Sequence, residues 1–143
     1  RVTLRDKTIQ FCKGCLSCVK TQKCVIHDDV NEIVEKMKEA DVLVFSTPIY
    51  YYEMCGQMKT LLDRANPLFN ADYKFRDIYF IASAAENGDH VWAKAVNGLE
   101  GWIDCFEKSH LSGVVFAGGV TDPGEIQGHQ SLKRAFEMGK NIR

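Results

Sequence analysis

Three short, nearly unbroken apolar runs punctuate the chain, at residues 42–46 (VLVFS), 78–82 (IYFIA) and 113–117 (GVVFA). Runs of this kind, without alternation, suit strands buried on both faces of a parallel sheet. A fourth, shorter strand is expected at residues 2–4, where Val2 and Leu4 alternate with polar neighbours. Between the runs the period becomes helical. Val30, Ile33, Val34 and Met37 recur at i, i+3, i+4 and i+7, and Met58, Leu61, Leu62 and Ala65 do the same. Asp28 and Asp29 offer N-cap oxygens to the first of these helices, with Glu32 as a capping-box partner, and Pro67 ends the second. The stripe Trp92, Ala95, Leu99, Trp102, Ile103 and Phe106 predicts a helix over residues 89–109, weakened by Gly98 and Gly101. Leu132, Ala135, Phe136 and Gly139 mark the last helix.

Strands alternating with helices predict an α/β fold around a parallel sheet, in one domain over residues 1–143. Right-handed crossovers would bring the strand-to-helix loops 10–28, 47–54, 83–90 and 118–129 to the carboxyl edge of the sheet, where open α/β sheets bind ligands.

An apolar share of 45% suffices for a core, and 18 basic against 19 acidic residues leave a net charge of -1, which excludes a disordered chain and gives no footprint for nucleic acid. No apolar run approaches the length of a membrane span, and neither a signal-type segment at the start nor a glycosylation sequon is present. A cytoplasmic protein without nucleic-acid or membrane partners is expected.

G-x-G-x-x-G, the P-loop, H-E-x-x-H and G-x-S-x-G are all absent. Two constellations carry chemistry instead. Cys12, Cys15, Cys18 and Cys24 place four thiols within a short loop, and the spacing of the first three matches loops that wrap an iron-sulfur cube. Zinc also takes four thiolates, and a loop of free thiols with one reactive member is the third alternative. Cys105, beside an apolar stripe, is expected to be a small packed hydrophobe, and Cys55 stands next to Gly56 within approach of a ligand. The second constellation is Thr47, Pro48, Ile49, Tyr50, Tyr51 and Tyr52, directly after a buried strand: a platform for a flat ring, or an aromatic patch for subunit contact. The four histidines are scattered singly, so no catalytic base is assigned.

Residues 11–24 (FCKGCLSCVKTQKC), Asp28 and Asp29, and above all residues 47–64 (TPIYYYEMCGQMKTLLDR) resemble the NADPH-dependent FMN reductase and iron-sulfur flavoprotein group, as does the later segment 118–128. The resemblance implies a flavodoxin-like, doubly wound parallel sheet of order 2-1-3-4-5, in which residues 2–4 would be strand 2. It also implies a preceding strand and phosphate-binding loop, so the chain reads as truncated at its N-terminus. Thr47, Pro48, Ile49, Tyr50 and Tyr51 are implied to lie against FMN with Gly56 nearby and Ala84, Ala85 and Glu86 opposite, while Cys12, Cys15, Cys18 and Cys24 match ligands of a [4Fe-4S] cluster. The implied activity is hydride transfer from NAD(P)H to FMN and on to an acceptor, in a homodimer or tetramer. An electron carrier serving a protein partner and a thiolate metal-binding domain are the alternatives.

Overall fold

The computed structural model describes residues 1–142; Arg143, the last residue of the expected domain, lies outside them. In chain order the elements are α1 (Ser17–Thr21), α2 (Asp29–Glu39), β1 (Val42–Tyr50), β2 (Glu53–Met54), α3 (Gly56–Arg64), a 3-10 turn (Asn66–Leu68), β3 (Asp77–Ser83), α4 (Asp89–Ile103), β4 (His110–Ala117) and α5 (Gln130–Lys140). The sheet has the order β2-β1-β3-β4. Strands β1, β3 and β4 are parallel, with Val42 opposite Asp77 and Asp77 opposite His110, so the three apolar runs form the strands expected of them. The short β2 turns back antiparallel on β1.

One face of the sheet, carrying Leu43, Phe45, Ile78 and Phe80, packs with the apolar stripes of α2, α3 and α4 into a single core. Phe75 lies at its centre, fully buried, stacked on Tyr73 at 4.3 Å and near Trp102 and Phe106. Against the other face packs α5, and Val44, Leu132 and Phe136 stay exposed.

Four expectations are corrected. Residues 2–4 form no strand: so short a segment offers few ladder bonds, and what fixes the chain there is Thr8 donating its backbone N–H to Asp29 at 2.7 Å. The long helix stops at Ile103 instead of residue 109, because the backbone turns at Asp104 and Cys105 and folds Phe106 back into the core. That turn carries Cys105 out of the stripe, so it is exposed and not packed. Glu32 closes no capping box; it pairs with Lys36 one turn on, while Asp28 alone caps α2 by accepting from the Val30 N–H.

Candidate functional site

Parallel pairing fixes the site at the strand ends. Because Pro48 stands opposite Ser83, and Ser83 opposite Ala117, the chain leaves β1, β3 and β4 at one edge. Hydrogen bonds tie the last two of these loops together: Ala84 donates to the Ala117 carbonyl, and Val120 donates back to Ala84, both at 3.0 Å. Gly118 is required here, since a Cβ would lie 2.5 Å from Asn87 Oδ1 and 2.8 Å from the Glu86 carbonyl. A crevice of about 310 Å³ opens at this edge, lined by Thr47, Pro48, Ser83, Ala117, Ile126 and Leu132 among others.

Thr47 is buried, and its hydroxyl accepts from the Cys55 N–H at 3.0 Å, which fixes the base of the tyrosine loop against the start of α3. Ile49 is also buried and belongs to the core, paired with Met54 of β2. The loop is a two-residue hairpin, with Tyr50 opposite Glu53 and the turn made by Tyr51 and Tyr52. Both turn residues have positive φ, 52° and 65°, a backbone region that bulky side chains adopt only at a cost. Tyr51 is completely exposed, so its ring recovers none of that cost by burial, and Tyr50 beside it is 60% exposed. Gly56 opens α3 with free space around it, and Cys55, half-buried, sits at the N-cap position.

The opposing loop reaches across. Tyr52 donates its hydroxyl to Glu86 at 3.0 Å, and the other Glu86 oxygen lies 2.9 Å from His90 Nε2. The hydrogen bond with His90, then that from Tyr52, holds the Glu86 carboxyl below its ordinary range. Lys94 stands over the Tyr52 ring at 5.6 Å. Ala85 and Glu86 are exposed and Ala84 half-buried. Neither His90 nor Lys94, one helical turn apart on α4, stands out in the sequence; the signal for His90 is its (i, i+4) spacing from Glu86.

The four cysteines occupy a second cleft of about 310 Å³ that shares no lining residue with the first. Cys12, Cys15, Cys18 and Cys24 all line it, with Asp63 and Asn66 from the end of α3 and the turn after it. The cysteine loop therefore lies against α3 and follows no strand, which corrects the expected convergence of four loops. Among the described residues no three ligating side chains stand close enough to hold a metal ion, although the donor set, four thiols on one cleft, suits a thiophilic metal. The Ser17 backbone N–H, then its hydroxyl, lowers the Cys15 thiol pKa.

Next to the cysteine cleft, whose lining includes Asp63 and Ile26, lies an ion pair that no local pattern in the sequence marks. Arg64 is 1% exposed and makes a bidentate pair with Asp28, at 2.8 and 2.9 Å. Burial pushes the Asp28 carboxyl up, but hydrogen bonds from Arg64 and from the N–H groups of Gln10 and Val30 outweigh it and hold the group below its usual range.

Comparison with known proteins agrees with this architecture. The sequence profile of the NADPH-dependent FMN reductase family matches residues 1–122. An iron-sulfur flavoprotein of Archaeoglobus fulgidus is 28% identical over 99% of this chain and 63% of its own. A Bacillus subtilis protein named as an NAD(P)H-dependent FMN-containing oxidoreductase is 30% identical over 80% of this chain and 67% of its own. The chain spans 35% to 63% of the length of the first three curated relatives it matches. Among solved structures, the Trp repressor binding protein of Bacillus subtilis superposes with a TM-score of 0.67 at 24% identity, covering 80% of this chain and 78% of that one, a likeness of fold.

Proposed function

The chain belongs to the NADPH-dependent FMN reductase family, and on that premise we propose that it binds FMN at the strand-end crevice and passes hydride from a reduced nicotinamide to an acceptor. The observation that carries this reading is the union of two loops: the tyrosine turn after β1 and the segment Ala84 to Glu86 after β3 stand at one sheet edge, joined by the Tyr52 to Glu86 hydrogen bond. FMN, when bound, supplies the two-electron acceptor on which the chemistry depends. The protein's own part is to hold and expose it. Pro48 stiffens the loop, Tyr50 and Tyr51 offer aromatic faces, and the free space at Gly56 admits a ring close to the backbone. One face must stay open for the nicotinamide to stack within reach.

Cys12, Cys15, Cys18 and Cys24 would hold a [4Fe-4S] cluster. The four thiols line one cleft, and the printed name of the Archaeoglobus relative favours this assignment over zinc or free thiols. A dimer or tetramer would cover the exposed tyrosines. No helix among the described residues is long and apolar enough to cross a membrane.

Stopped-flow mixing of the FMN-loaded chain with NADPH and with NADH tests the central claim. Rapid bleaching by either supports it, and Tyr50→Ala should weaken FMN binding and slow bleaching together. Reduction by neither donor, with reduction by a protein partner, would transfer the assignment to an electron carrier.

A further inference from the structure

A single short stretch, Arg64 to Asn66, underlies the cysteine loop. Arg64 Nη1 donates to the Gln10 carbonyl at 2.7 Å and to Asp28 Oδ2 at 2.8 Å; Nη2 donates to Asp28 Oδ1 at 2.9 Å and to the Ile26 carbonyl at 3.3 Å. Gln10 precedes Cys12 and Ile26 follows Cys24, so one guanidinium closes the loop that bears all four thiols. The remaining nitrogen, Nε, is buried without a hydrogen-bond partner among the described residues. Two residues on, Asn66 Nδ2 donates to Cys18 Sγ at 3.0 Å. Asn66 is only half-buried and caps no helix, so neither the fold nor the flavin crevice accounts for this contact.

We propose that Asn66 and Arg64 are positioning residues for the cysteine cleft, Arg64 as the clasp that closes its loop and Asn66 as the hydrogen-bond donor to Cys18 sulfur, and that the Asn66 donor raises the reduction potential of a cluster held there. The inference rests on the iron-sulfur reading of that cleft. Its physical basis is general: a hydrogen-bond donor beside a coordinating sulfur stabilises the more negative, reduced form of the cluster.

The test uses this chain, reconstituted anaerobically with ferrous iron and sulfide, as wild type, Asn66→Leu, Asn66→Gln and Arg64→Lys, with circular dichroism to confirm folding. Iron and sulfide per chain are measured first, then the midpoint potential. Asn66→Leu keeps the volume and removes the donor; its potential should fall, and Asn66→Gln should recover part of the shift. Arg64→Lys keeps the charge and loses the fork, and its iron affinity should drop about 10-fold or more. Failure of Asn66→Leu to load iron, with loading by Asn66→Gln, also supports the proposal. An iron-loaded Asn66→Leu chain at the wild-type potential overturns it and leaves the cluster reading standing, as does iron loss shared equally by the Leu and Gln variants. A wild-type chain that takes up no iron overturns the cluster reading and the proposal with it.

Discussion

At the scale of single residues, the Arg64–Asp28 pair is a charge pair buried away from water. Removing one partner strands a charge out of water, so Asp28→Asn should cost about 3–5 kcal/mol in urea unfolding. The pH dependence follows from the direction of the Asp28 shift. Its folded pKa lies below the unfolded value, so the stabilisation is fully present above the unfolded pKa, about 3.9, and is lost as pH falls through the lower folded value. Unfolding followed against pH should therefore show acid lability setting in below about pH 4, and Asp28→Asn should flatten that limb. Tyr51 makes the opposite prediction. It is fully exposed at φ 52°, so Tyr51→Gly should relieve strain and hold or raise stability by up to about 1 kcal/mol, while FMN titration shows weaker binding.

At the scale of elements, the core face and the site edge respond differently to change. Phe75 is fully buried among Tyr73, Trp102 and Phe106, so Phe75→Ala should cost about 3–5 kcal/mol by thermal or urea unfolding. Cys105→Ala, on the turn that ends α4, should stay within about 0.5 kcal/mol of wild type, as exposed positions do. The helical periods of α2 and α3 were legible because both helices pack one stripe on the sheet. The end of α4 was not, since its apolar spacing continues through Phe106 while the backbone turns at Asp104. The β1–β2 hairpin was hidden for a different reason. Its turn is Tyr51-Tyr52, without the Asn-Gly or Asp-Gly that signals such a connection.

At the scale of the whole molecule, the sheet is asymmetric. Strand β3 lies between two parallel neighbours, whereas β1 is paired on its far side only at Ile49 and Tyr50 among the described residues. Amides of β1 turned away from β3 should therefore exchange with solvent faster than those of β3, a difference that hydrogen-exchange mass spectrometry can read. The sequence by itself determined the α/β alternation, the three parallel strands and the presence of the two chemical constellations, and its resemblance to known sequences pointed to the family. The first three are written in local period, in spacing, or in side chains that must leave water. It did not determine that the cysteine loop lies against α3 away from the strand ends, that Glu86 bridges Tyr52 and His90, or that Arg64 closes the loop through Asp28. Those are contacts between residues up to 54 positions apart, as Gln10 and Arg64 are. Such contacts leave no periodic trace in the chain, because only the packing of whole elements brings their partners within hydrogen-bond distance.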